Sequence, residues 1–148
     1  MLKALILSAI VFASGLGIPT MAAINGALGA RLASPVFATV ILLFVGLIIS
    51  IVYMLIFFGM PRWPSEMPPL WSFTGGFFVV FYVLSVTAIA PVIGLGNAIF
   101  LVLLGQIMAT TAIDHFGWFG ALQNPVSVQK AAGLAFMIVG VILARKVG

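Results

Sequence analysis

Apolar residues fill this 148-residue chain in five long blocks, and the stretches between them hold most of the prolines and half of the charges. About 20 predominantly apolar residues are enough to cross ~30 Å of hydrocarbon. Blocks near 3–29, 35–58, 70–89, 92–113 and 126–145 reach that length. The pattern predicts an all-α integral membrane protein, one domain over 1–148, with five transmembrane helices. Ser34-Pro35 and Asn124-Pro125 each read as a capping residue followed by proline at the first helical position, which sets the starts of the second and fifth helices. Ala90-Pro91 leaves almost no chain between the third and fourth helices, so these should form an antiparallel hairpin. Pro19 lies inside the first helix, where the missing amide should kink or open it.

Composition narrows the class. Hydrophobic residues make up 64% and charged residues 5%, with a mean hydropathy of +1.38. Soluble domains are about 25% charged. The N-terminal MLKALILSAIVFASGLG has the layout of a signal peptide, but its apolar character continues to about Ala30 and reads as a retained helix. There is no cysteine, which excludes disulfides and thiolate chemistry. The six cations are scattered along the chain at the ends of apolar runs and form no clustered basic face for nucleic acid. One histidine, two acids and no phosphate-cradling loop leave Asp114-His115 as the only conceivable catalytic pair, without a nucleophile. An enzyme, a metal or a cofactor is therefore not expected.

The candidate chemistry lies in polar residues inside apolar runs. Amides are costly in hydrocarbon and should face other helices or a watery cavity. Asn25 follows Pro19 and Thr20 beside the small-residue stripe Ala22, Gly26, Ala30, which favours close helix packing and leaves Asn25 a candidate cavity residue. Tyr82 is the polar member of an aromatic cluster with Phe73, Phe77, Phe78 and Phe81. On the fourth helix, 100° per residue sets Asn97, Leu104, Met108 and His115 along one line and Gln106, Thr110 and Asp114 along a nearly opposite one. That helix should therefore be buried on two sides, unless Gly94 and Gly96 reset its phase. Asp114-His115 is a candidate proton or ion relay; its place at a helix end also suits a structural role, including an ion pair with Lys130. The dry part of the fifth helix is short, so Lys130 should snorkel at one end and Arg145-Lys146 anchor the other.

With five spans and a cytoplasmic N-terminus, Lys3, Arg62 and Lys130 fall on one side and Arg31, Arg145 and Lys146 on the other. Orientation follows an excess of Lys and Arg, and three against three provides none. The balance predicts dual topology and an antiparallel homodimer, the single-chain counterpart of an inverted repeat.

The segments PTMAAINGALG, Ser34-Pro35 and above all GLGNAIFLVLLGQIMATTAIDHFGWFG resemble the YdcZ-like family of small bacterial inner-membrane proteins, in the drug/metabolite transporter (DMT) superfamily. The resemblance spans essentially the full length. It implies half of a ten-helix inverted-repeat transporter, an exporter of small organic compounds, and a multi-pass location in the bacterial inner membrane. By analogy with the superfamily, helices 1, 3 and 4 would line the cavity, which points to Asn25, Tyr82, Asn97 and Gln106 as substrate-binding residues. Small multidrug-resistance relatives carry a coupling glutamate in the first helix, and this chain has no acid there. The expected partners are a small-molecule substrate, the lipid bilayer, and a second antiparallel copy or a paralogous five-helix chain. The alternatives are an assembly subunit that needs such a partner, or a channel.

Overall fold

A computed structural model describes residues 1–144. Among them are five α-helices: α1 (Leu2–Arg31), α2 (Pro35–Phe57), α3 (Gly75–Ile93), α4 (Leu95–Phe116) and α5 (Val128–Ala144), with a 3-10 turn over Leu70–Thr74 leading into α3. Four apolar helical segments are long enough to cross a membrane, Leu2–Arg31, Pro35–Phe57, Leu70–Ile93 and Leu95–Phe116. The fifth helix has 17 residues, about 26 Å at 1.5 Å per residue. Arg145 and Lys146, the expected anchors of its far end, lie outside the described residues.

The chain divides into two compact units, 1–92 and 93–148. In the first, α1 packs against α2 across a three-residue connection. Ser34 accepts a hydrogen bond from the Phe37 amide at 3.1 Å with Pro35 at the first helical position. The expected cap is therefore formed as read. Its buried residues are small: Ala22, Asn25 and Gly29 on α1, Ala38 and Thr39 on α2, and Val83, Val86, Thr87 and Ala90 on α3. Gly29 is required by close approach, since a Cβ there would stand 3.2 Å from Thr87 Cγ2 and 3.4 Å from the Pro35 backbone. Beyond Thr39, α2 has no buried residue. α1 continues as helix through Pro19.

In the second unit α4 packs against α5. Three expected boundaries move. The break between α3 and α4 falls at Gly94, with φ +88°, rather than at Ala90-Pro91, and α3 runs on through Pro91. α4 extends to Phe116 and ends on Gly117, whose φ of +64° is the left-handed conformation that terminates helices. α5 begins at Val128 rather than at Pro125: Ser127 Oγ accepts from the Lys130 amide at 3.1 Å, so Ser127 is the cap and Asn124 is not. The cause is local: the Val126 N–H, which an Asn124 cap would need, is donated instead to His115 Nδ1 at 3.1 Å.

Candidate functional site

Five hydroxyls on the spanning helices are satisfied within their own helix. Ser14, Thr20, Thr39, Ser50 and Thr110 each donate to a backbone carbonyl one turn back, which hides their polarity from an apolar surrounding. Amides have more groups to satisfy, and the three on spanning segments meet different fates.

Asn25 is 2% exposed and its Nδ2 donates to Thr87 Oγ1 at 2.7 Å, joining α1 to α3. One turn on, Gly29 receives the methyl of the same threonine. Asn25 also borders a cavity of about 280 Å³ between α1 and α2, otherwise lined by apolar side chains such as Met21, Leu28 and Leu42. Asn97 donates Nδ2 to the Ile93 carbonyl at 2.8 Å, closing the start of α4 across the Gly94 break. Gln106 is exposed. Its nine-residue separation from Asn97 turns the two by half a circle, so they lie on opposite faces of α4. The two-sided burial expected for α4 is not found within one chain: Gln106, Thr110 and Met108 are all exposed, and Ala98 is its one buried residue among those described. The Tyr82 hydroxyl is buried and has no hydrogen-bond partner among the described residues.

Asp114 and His115 belong to a cluster that closes the end of α4. Lys130 Nζ reaches Asp114 Oδ2 at 3.2 Å, the anticipated ion pair, with both side chains over a third exposed. The last carbonyls of a helix lack partners inside it. Here the Asn124 amide serves Asp114 and Gln123 Nε2 serves His115 at 3.3 Å. The Val126 amide donates to His115 Nδ1 at 3.1 Å. The His115 ring stands edge-on to Phe116, which stacks on Trp118.

Sequence reasoning missed Thr87, Gln123, Val126 and Ser127. Thr87 had a weak signal, as one of few hydroxyls in an otherwise apolar run, but nothing local pairs it with a residue 62 positions away.

Apolar spanning helices with polar groups along them and one ion pair at a helix end define a multi-pass membrane protein. The chain belongs to the family described as "Putative inner membrane exporter, YdcZ", which matches residues 6–143. It is accordingly a multi-pass inner-membrane protein of an exporter family, the family that the GLGNAIF and IDHFG segments resemble. That membership points to transport rather than catalysis. No curated protein and no solved structure matches the chain significantly.

Proposed function

We propose that the protein is a DMT-type secondary transporter that exports a small organic compound by alternating access, as an antiparallel homodimer with a polar site near the membrane midplane. The observation that carries this reading is Gln106: a primary amide in the middle of a spanning helix, exposed on a single chain and with no side-chain hydrogen bond among the described residues. In lipid such a group costs several kcal/mol on the order usually assigned to unpaired amides. A second copy covering that face of α4 removes the cost and encloses the amide with its symmetry mate. Gly105 and Ala109, one turn apart beside it, allow close approach.

In this reading Gln106 hydrogen-bonds substrate directly and the Tyr82 hydroxyl supplies a second polar contact beside aromatic rings. Asn97, on the other face of α4, and Asn25, already engaged by Thr87, contribute from the edge of the site. The balanced Lys and Arg count supports insertion in both orientations.

The test begins with a thermal-shift screen of amines, amino acids, sugars and nucleosides, since a compound that prefers the folded state raises its stability. Uptake of the best stabiliser is then measured in proteoliposomes. Gln106→Ala is expected to lower uptake at least tenfold with dimer and helix content unchanged, about 1.4 kcal/mol or more of lost stabilisation. Undiminished uptake takes Gln106 out of the site. Topology reporters on the C-terminus should give signal from both sides of the membrane; signal from one side alone ends the dual-insertion part.

A further inference from the structure

Four contacts tie the start of α5 and the connection before it to the end of α4: Asn124 N–H to the Asp114 carbonyl, Gln123 to the His115 carbonyl, Lys130 to the Asp114 carboxylate, and Val126 N–H to His115 Nδ1. The fourth differs from the rest. Its acceptor is an imidazole nitrogen, and an imidazole accepts only while it is neutral. With Nδ1 accepting, the ring's proton is on Nε2. An imidazolium carries N–H on both nitrogens, and the Val126 amide would then face a donor.

We propose that His115 is a proton-released latch: neutral, it holds the Val126 amide, just before α5, against the end of α4, and protonated, it lets that amide go. His115 and Val126 both line a cavity of about 410 Å³ whose other walls include Met108, Phe116 and Leu134, so the two groups have room to part. The charged groups on the elements packed around the ring are Asp114 on α4 and Lys130 on α5, already paired with each other. The connecting residues 117–127 carry no ionisable side chain.

The direction follows from linkage. Only the released form accommodates the second N–H, so falling pH shifts the population toward release. By reciprocity, any event that opens the connection promotes proton uptake at His115. The latch stands whether or not Gln106 binds substrate.

The experiment uses the full chain in nanodiscs, with ¹⁵N-labelled histidine and amide exchange corrected for its intrinsic pH dependence. At pH 7.5, Nδ1 should show the chemical shift of an unprotonated nitrogen and Nε2 that of a protonated one. Between pH 7.5 and 5.5 the protection of the Val126 amide should fall at least tenfold in step with imidazole protonation, while amides in the middle of α4 keep theirs. His115→Asn places an amide oxygen near the position of Nδ1 without a titrating group, and should hold Val126 protection level across the same range. Nδ1 protonated at pH 7.5, or wild-type Val126 protection that does not change with pH, overturns the proposal. A pH-dependent fall in His115→Asn equal to the wild-type fall also overturns it.

Discussion

Asn25 and Gln106 are chemically the same problem, a primary amide on an apolar spanning helix, solved in two ways. Asn25 is sealed: the other buried residues on its helix, Ala22 and Gly29, are small, Thr87 meets its Nδ2 at 2.7 Å, and 2% of it remains exposed. Gln106 stays exposed beside the small side of α4. An amide satisfied inside its own unit serves the fold of that unit; one left outward is, in the function proposed above, open to a second copy or a substrate. Under that proposal the contrast separates a residue that supports the fold from one that supports transport.

That separation can be tested from its strong end downward. Asn25→Ala removes the Thr87 hydrogen bond and opens space under α3. Its denaturation midpoint in detergent should drop by the equivalent of about 2 kcal/mol, combining a membrane hydrogen bond with a small cavity. Gln106→Ala should leave that midpoint unchanged. If both variants melted alike, the contrast would be wrong.

Gly29→Ala comes next. The added methyl must push Thr87, a β-branched side chain held by Asn25, so a loss of about 1 kcal/mol is expected. Combined with Thr87→Ser, which deletes the obstructing methyl but keeps the hydroxyl, most of the loss should return; a strictly additive double variant would show that the clash is elsewhere. The smallest effect belongs to Lys130→Met. The Asp114–Lys130 pair is more than a third exposed on both sides, which limits it to a few tenths of a kcal/mol, up to about 1. A larger shift in the unfolding midpoint would mean that the membrane excludes water from this helix end more than its exposure implies.

Local chemistry was legible in the sequence to the extent that it was decided locally. The Ser34-Pro35 start needs only its own hydroxyl and the amide three residues on, and it is formed as read. The Asp114–Lys130 pair spans one connection and was also anticipated. The start of α5 was read at Asn124-Pro125 and the Ser127 cap was missed, because nothing local shows that the Val126 N–H an Asn124 cap would need is taken by His115 at the end of α4. The Asn25–Thr87 bond was out of reach, because apolar periodicity says which positions are hidden and not which distant segment hides them. Helical phase did place Asn97 and Gln106 on opposite faces of α4, but the burial expected on both sides presumed neighbours that one chain does not provide.

From Val40 to Phe57, α2 has no buried side chain among those described, and the sequence holds no thiol. A single cysteine walked along the exposed positions of that helix would therefore be the only thiol on the molecule, placed where it disturbs little packing. Each step advances it by about 1.5 Å along the axis. Spin labels read against a paramagnetic quencher would turn α2 into a depth gauge, reporting the thickness and tilt at which the protein sits in its lipid.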